Sequence, residues 1–571
     1  MFTVSLISTI KKIKILKHGF SVTRNCTKTV LGEKVVPLTE NTLLGRMMIY
    51  LNNVNKNFDS SPMQVNGSNT INNLVHGKTD SLRKLTIDQI ANLFYAANIS
   101  ILSHSKQNLR KVLDILDVEC CLRLASMEPN KILKVLSAFM YVVPNRITEY
   151  KFYHYATDDI DRCLKQCTKE ELIHFIFYIG LQKKSKRAQT LLKKCLRNFN
   201  KDLVHNLTIE DLCIICNSTF RTNTKISNVH LLDQIKQVLN DNLSLLKDPA
   251  LLITLIKTIQ HNHYQDDDLL STISCTIFFN KTFQYYTFAT ICHLLSAYAD
   301  WLYYDEELFN LFIKQALKQL EETSVKSKKT YLTEQMRTKD ILVFLRCIST
   351  LNCSNIDKEH LENLITLNIM ERLSLGEFKN GVEQIVDIIL YLWMIGCRPY
   401  KLIQIALTSE NVGVIRKNNP KTVPHLNLLL SIIEYEENQL FQDLHLKYSS
   451  LTNFNSNQQI KSRPMLEKLL SIVQSTSTDI EKFEINYQVL HLNILGISGY
   501  KHGKKAVNIE LLDGHTCVKN KKNYPNGWMQ LKLRILEEQE EPLITINLED
   551  VIAMNTSELQ EFLEDEINLI C

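Results

Sequence analysis

Apolar and polar positions recur with a helical period along most of the chain, and the pattern restarts at regular intervals. From Leu85 onward a capping residue, often followed by an acid, precedes each apolar run. The starts are 44, 38, 40, 40, 39 and 51 residues apart, and they lie at Thr86, Asn130, Thr168, Thr208, Asp248, Thr287 and Thr338. Thr168 and Glu171 have capping-box spacing, in which each side chain bonds the other residue's backbone N–H. The pattern predicts recurrent helices.

A second helical run fills most intervals, as in Ser105–Ala125 and Gln189–Asn198. Because a single helix pair has an apolar face that it cannot bury alone, successive pairs are expected to stack. We expect an α-solenoid of helix-pair repeats over residues 83–360, followed by a further helical region over residues 361–480. An ordinary multi-helix domain with evenly spaced helices is the alternative.

The period changes after Ile485, where short strands replace long helices. The pattern predicts a β-β-α-β order, with strands over Tyr487–Ile497, Ala506–Leu512 and Leu543–Leu548, a turn at Gly499–Gly503 and a helix over Trp528–Glu538. The expected fold class is therefore mainly α, with a small C-terminal α/β module over residues 486–550. An acidic C-terminal helix is expected over residues 551–571.

The first 32 residues contain six Lys and Arg and no Asp or Glu, with hydroxyl side chains and apolar residues at helical spacing. This composition is typical of a mitochondrial presequence, which we predict over residues 1–36, and it indicates import into the matrix. A basic arm that stays on the protein is the alternative. Residues 37–82, rich in Asn, Ser and Gly, are predicted to be a flexible linker. No apolar run reaches the ~20 residues that cross a bilayer, so no membrane span is expected.

Composition adds two constraints. Of the 571 residues, 45% are hydrophobic and 22% are charged, as in folded globular chains. The 15 Cys have no regular spacing, which favours reduced thiols over a disulfide framework. Cys213 and Cys216 have zinc-like spacing but lack a second pair of ligands, so no metal site is predicted. The net charge of +5 is modest, so a site for a polyanion must depend on local charge.

A local excess of positive charge lies in the C-terminal module. Residues 501–534 contain eight Lys and Arg, whereas Glu510 and Asp513 are the only acids. Lysines could hold phosphates while interleaved aromatic rings stack on bases. The predicted RNA-binding residues are Lys504, Lys505, His515, Lys519, Lys521, Lys522, Trp528, Lys532 and Arg534. A solvated lysine loop over residues 519–522 is the alternative.

An ordered series of motifs runs through the same module, namely Glu510-Leu-Leu-Asp-Gly-His515, Asn520, Gly527, Lys532-Leu-Arg534-Ile-Leu536 and Leu543-Ile-Thr-Ile546. The series resembles the RAP domain of the FAST kinase domain-containing family. The resemblance implies a RAP domain over residues 486–550 after a FAST-type helical region over residues 361–480. It also implies binding to mitochondrial RNA that affects transcript processing, stability or translation, with partners in RNA granules or ribosome assembly. Kinase activity is not expected, because the sequence contains no G-x-G-x-x-G, H-R-D or D-F-G motif.

The resemblance further implies a fold similar to PD-(D/E)xK nucleases, which need acidic oxygens to hold Mg²⁺ and a Lys near the attacking water. The candidate catalytic residues are Glu510, Asp513 and Lys532. No acid lies between Glu484 and Glu510, where such a nuclease would present a further carboxylate. We therefore expect a non-catalytic RNA-binding protein without a cofactor. A Mg²⁺-dependent endoribonuclease and a protein–protein scaffold in mitochondrial ribosome assembly are the alternatives.

Overall fold

The computed structural model describes residues 42–54, 67–101, 106–241, 248–264, 266–325, 336–378, 381–448 and 454–570. The chain divides into two compact units, residues 1–264 and 265–571. The described residues are mainly helical, as the sequence predicts, and one small mixed sheet lies near the C-terminus. The predicted presequence over residues 1–36 lies outside the described residues.

The first unit is built from α-helices, with short 3-10 turns at Leu82–Lys84, Leu124–Ser126 and Ile147–Glu149. The helices are α1 (Leu43–Val54), α2 (Gly67–Val75), α3 (Ile87–Ile101), α4 (Lys106–Arg123), α5 (Pro129–Val142), α6 (Lys151–Asp158), α7 (Ile160–Cys163), α8 (Lys169–Ile179), α9 (Lys186–Leu196), α10 (Lys201–His205), α11 (Ile209–Thr222), α12 (Val229–Asp241) and α13 (Pro249–His261). Helices α3, α5, α8, α11 and α13 pack side by side, and we call them the A layer. The intervening helices pack against this layer as second members of helix pairs.

Capping explains where the A-layer helices begin. The Thr168 hydroxyl accepts from the Glu171 backbone N–H at 3.2 Å, and the Glu171 carboxylate accepts from the Thr168 N–H at 3.0 Å. Thr208 and Asp211 form the same reciprocal pair, at 3.1 Å in both directions. Every predicted start between Thr86 and Thr338 lies within one residue of a helix start in the structure, which confirms these predictions.

The prediction of a flexible linker over residues 37–82 is wrong for its described parts, because α1 and α2 lie within it. Met48 and Leu51 of α1 are buried, and Arg46 forms an ion pair with Asp248 at the start of α13. The Asn-rich segments that suggested a linker flank α1. The apolar side chains of α1 recur every three or four residues, and this spacing suits packing on the A layer.

The second unit begins with further helix pairs and includes a 3-10 turn at Thr282–Tyr285. The helices are α14 (Asp267–Asn280), α15 (Phe288–Trp301), α16 (Glu306–Val325), α17 (Thr338–Thr350), α18 (Lys358–Ser374), α19 (Glu383–Ile395), α20 (Tyr400–Ala406), α21 (Ser409–Asn418), α22 (Val423–Glu436), α23 (Asn438–Leu444), α24 (Ser456–Ser462) and α25 (Pro464–Val473). Helices α15, α17, α19 and α22 pack in sequence as a layer of this unit. Over the described ranges, no helix is long and apolar enough to cross a membrane.

The C-terminal module is a four-stranded sheet with helices on both faces. Its elements are β1 (Lys482–Asn486), β2 (Gly496–Lys501), β3 (Lys504–Leu512), α26 (Gly527–Glu538), β4 (Leu543–Asn547), α27 (Leu548–Ala553) and α28 (Thr556–Ile570). The strand order is β1-β2-β3-β4; the first two pairings are antiparallel, and β4 joins β3 in parallel after the α26 crossover. The order is therefore β-β-β-α-β, with one strand more than predicted.

The additional strand explains the error at the start of the module. The predicted strand over Tyr487–Ile497 is instead mostly irregular chain with a turn at Leu490 and His491, and the buried side chains Val489, Leu492 and Leu495 have a spacing of three and not two. Strand β1 precedes it, and its alternation of polar and apolar residues from Lys482 to Asn486 is only five residues long, which makes it a short signal. The predicted turn at Gly499–Gly503 is wrong up to Lys501, because β2 extends to that residue and only His502 and Gly503 form the turn. The other predicted strands and the helix over Trp528–Glu538 are confirmed within two residues at each end.

The two faces of the sheet differ in chemistry. The apolar face packs against α25 and α28 in one core, which contains Leu466, Leu469, Ile472, Val473, Ile497, Val507, Ile509, Leu511, Ile544, Ile546, Leu559, Leu563 and Ile567. Since side chains alternate along a strand, the opposite face receives Asn508 and Glu510 of β3, and it lies under α26. Of the candidate catalytic residues, Glu510 and Lys532 lie at this second, polar face, and Asp513 lies in the loop after β3.

Candidate functional site

Glu510 and Lys532 form an ion pair inside the module. The Lys532 ammonium lies 2.5 Å from a Glu510 carboxylate oxygen, and both side chains have 0% exposure. Gly496 on β2 leaves room for the pair, since a Cβ there would lie 2.2 Å from the same carboxylate oxygen. Burial raises the pKa of Glu510 and lowers the pKa of Lys532 to about 8, whereas their mutual attraction opposes both shifts.

Asp513 is held by a second buried ion pair. Its carboxylate accepts from Arg463 Nε at 2.6 Å and from the backbone N–H groups of His515 and Thr516 at 2.9 and 3.1 Å. The same guanidinium donates to the carbonyl oxygens of Leu495 and Leu511 at 2.8 and 2.9 Å. Asp513 therefore fixes the loop after β3, and both of its oxygens already accept hydrogen bonds.

These contacts do not suit a Mg²⁺ site. Mg²⁺ needs accessible carboxylate oxygens and several retained waters, whereas Glu510 and Asp513 each face a buried cation. Within the described ranges, no group of three or more His, Cys, Asp and Glu is placed to hold a metal ion. Lys532 has no exposed surface with which to reach a hydrolytic water. The candidate catalytic residues thus have structural contacts, and we derive no reaction step from them.

Lys532 and Arg534 require a correction as predicted RNA-binding residues, because each is held by a carboxylate of the protein. Lys532 is fully buried and cannot contact RNA in this structure. Arg534 donates to the Glu436 carboxylate at 2.8 Å and to the carbonyl oxygens of Trp393 and Met394 at 3.0 and 3.2 Å. Arg534 therefore joins α26 to the ends of α19 and α22.

Lys521 also contacts the helical layer. Its ammonium lies 2.8 Å from Glu306 and stands over the rings of Tyr304 and Tyr524, at 4.4 and 5.1 Å from their centroids. The ion pair lowers the pKa of Glu306 through the hydrogen bond from Lys521. A cation held between two rings and a carboxylate is poorly placed to bind phosphate.

The remaining predicted RNA-binding residues lie near the module surface. Lys505 pairs with Glu541 at 2.7 Å, and the exposed Lys522 pairs with Glu549 at 3.1 Å. Trp528 is half-buried, and its ring packs edge-on against Tyr391 of α19, with 6.4 Å between the centroids. Lys504, His515 and Lys519 are exposed. The positive charge seen in the sequence is thus largely balanced by carboxylates that are distant in sequence.

The loop before α26 docks the module on the helical layer. Asn520 accepts from the Tyr304 backbone N–H at 2.8 Å and donates to the Tyr304 carbonyl at 3.0 Å. Gly527 lies directly against the end of α17, since a Cβ on it would be 1.7 Å from the carbonyl oxygen of Ser349. The Tyr524 hydroxyl donates to the carbonyl of Asn352. Asn520, Gly527 and Arg534, three residues that carry the family resemblance, are therefore contacts between the module and the helices.

Sequence reasoning missed Arg463, and it missed the helical partners Tyr304, Glu306 and Glu436. No local signal marks them, because the partners of Asn520 and Lys521 are 216 and 215 residues away. A scan against protein-family models gives no match for this sequence, and neither does a search of curated proteins.

Proposed function

We propose that this protein binds RNA in the mitochondrial matrix and acts after transcription, on the processing, stability or translation of mitochondrial transcripts, without cutting them. The observation that carries the proposal is the layer of side-by-side helix pairs ending in a small α/β module. Stacked helix pairs of this kind offer an extended surface that suits a single-stranded polymer. The acid-free N-terminal composition and the motif series from Glu510 to Ile546 support the mitochondrial and RNA-related parts.

The non-catalytic part of the proposal rests on the interior of the module. Each candidate catalytic carboxylate is neutralised by a buried cation, Glu510 by Lys532 and Asp513 by Arg463. Withdrawing either cation to admit Mg²⁺ would leave an unpaired charge in the interior, at a cost of about 3–5 kcal/mol. A scaffold that binds only proteins is the other class that the fold permits.

The test is RNA binding and RNA integrity in one sample. Purified full-length protein is titrated into a fluorescent single-stranded oligoribonucleotide with Mg²⁺ present, at salt from about 50 to 200 mM, and the RNA is then examined on a denaturing gel. We expect binding that weakens steeply with salt and RNA that stays intact. Absence of binding at the lowest salt would overturn the proposal in favour of the protein scaffold. Cleavage that is lost in both E510Q and D513N would replace it with the endoribonuclease.

A further inference from the structure

Three stretches of the first unit contain no acidic residue. Residues 172–201, 212–232 and 249–264 together contain eleven Lys and Arg and no Asp or Glu. Eight of these cations lie in the first stretch, which covers most of α8, the following turn and all of α9. A long acid-free run is uncommon in a chain that has 61 Asp and Glu in all, so the clustering calls for a structural explanation.

The fold brings these stretches to one edge of the A layer. Helices α8, α11 and α13 pack side by side, and the turn after each of them leaves the layer at the same end. The backbone N–H of Lys184 donates to the carbonyl of Arg221 at 3.1 Å, which joins the first turn to the second. The N–H of Ile226 donates to the Asn262 side chain at 2.6 Å, which joins the second turn to the third. We call Lys183, Lys184, Lys186, Arg221 and Lys225 the turn edge.

The positive charge of the turn edge is not balanced by the protein. Lys183, Lys184, Lys186 and Lys225 are exposed, and none of them forms an ion pair with a carboxylate in the described parts of the chain. In contrast, Arg187 in the same stretch is paired with Asp158. The chain thus neutralises Arg187 and Lys194 of this stretch but leaves these four lysines to the solvent.

Arg221 is the partly buried cation of the turn edge. It is only partly exposed, and its Nε is a buried donor without a hydrogen-bond partner among the described residues. Burial lowers the pKa of Arg221, and the interaction with Tyr153 offsets this effect only in part. Because this Nε has almost no accessible surface, a phosphate can approach Arg221 only at the exposed part of its side chain, where the positive charge attracts it.

An exposed aromatic ring lies next to Arg221. Phe220 is 47% exposed, its ring packs edge-on against His261 at 6.0 Å, and the Lys257 ammonium stands 5.8 Å from its centroid. Aromatic rings that are exposed beside cations are the usual stacking platforms for unpaired bases. An acidic peptide would use the cations but would gain nothing specific from this ring.

We propose that the turn edge binds the phosphodiester backbone of single-stranded RNA and that Phe220 stacks on a base. This inference rests on the proposed function and moves the main RNA contact from the C-terminal module to the first unit. It explains why the lysines of the module can be used in ion pairs without loss of binding.

The test compares two triple variants of the full-length protein. K183Q/K184Q/K225Q removes three cations from the turn edge, and K401Q/K417Q/K421Q removes three exposed cations from the second unit as a matched control. Each phosphate contact contributes about 0.7 to the slope of log K against log salt, so the slope should become shallower by about 2. At about 0.1 M salt this change in slope corresponds to a loss of RNA affinity on the order of 100-fold for the turn-edge variant. F220A should lower affinity by about fivefold or more.

The outcomes separate this inference from the proposed function. If the wild type binds RNA and the turn-edge variant alone loses affinity, the inference stands. If the wild type binds RNA and both triple variants lose affinity equally, or neither does, the turn edge is not the site although the proposed function survives. If the wild type binds a polyglutamate peptide through these lysines and does not bind RNA, both fail. Unchanged thermal unfolding of the variants shows that charge, and not folding, is responsible.

Discussion

Replacing Gly527 by Ala tests whether the C-terminal module is docked on the helices as the structure places it. Gly527 is the first residue of α26, and its N-cap Asn526 accepts from the Met529 N–H at 3.0 Å. A Cβ on Gly527 would lie 1.7 Å from the Ser349 carbonyl oxygen, so the two backbones must separate by about 1.3 Å to reach the shortest tolerable distance of 3.0 Å. Overpacking of this kind costs about 1–3 kcal/mol.

The separation would also break neighbouring hydrogen bonds. Asn352 donates to the carbonyl of Pro525 at 3.3 Å and accepts from the Tyr524 hydroxyl, and each such bond contributes about 0.5–1.5 kcal/mol. We therefore expect G527A to lower the stability of the second unit by about 2 kcal/mol or more. Helix propensity alone predicts that G527A would raise the stability, because Ala inside a helix is more favourable than Gly by about 1 kcal/mol.

The assay is urea unfolding followed by tryptophan fluorescence, with hydrogen exchange over residues 519–527. G413A is the matched control, since a Cβ on Gly413 in α21 meets no atom within 4 Å. We expect the control to leave the unfolding midpoint unchanged or to raise it slightly. A G527A protein with the wild-type midpoint and wild-type exchange over residues 519–527 would refute the docking contact.

Three further predictions concern the buried pair and the N-terminus. In urea unfolding, K532M should destabilise the module by about 3–5 kcal/mol, and the double variant E510Q/K532M should recover part of this loss. Equal stability of K532M and the wild type would show that the ion pair is not buried. The fold lowers the pKa of Lys532 from 10.5 to about 8, so between these pH values the unfolded state binds more protons than the folded state. The wild type should therefore gain stability relative to K532M as the pH rises from 8 towards 10.5. A difference in urea midpoint that stays constant over this range would contradict the lowered pKa. Residues 1–36 fused to a fluorescent protein should direct it to mitochondria in imaged cells, and diffuse fluorescence would count against a presequence.

Local signals were sufficient to predict the helix starts but not the packing of the module. Thr168 and Thr208 cap their helices through residues three positions away, so their roles are readable from the sequence. The apolar runs likewise predicted a mainly helical chain with a small α/β end. Strand β1 escaped prediction because it is an edge strand of five residues, so its polar and apolar positions alternate over only a short stretch.

The candidate site could be predicted only as a set of residues, not as an arrangement. Glu510 and Lys532 were both identified, yet their complete burial follows from the crossing of α26 over β3, which no local pattern reports. Arg534 looks like a surface cation on its own helix, whereas its partner Glu436 is 98 residues earlier. The turn edge was missed because its cations are spread over three turns that only stacking brings together.

The central claim is that RNA binds along the turn edge of the first unit while the C-terminal module has a structural role. The most direct measurement is ultraviolet crosslinking of RNA to the full-length protein, followed by mass spectrometry of the crosslinked peptides. We predict crosslinked peptides from residues 180–232, with Phe220 as a main position, and few or none from residues 504–534. Crosslinks confined to residues 504–534, or no crosslinked peptide at all, would contradict the account.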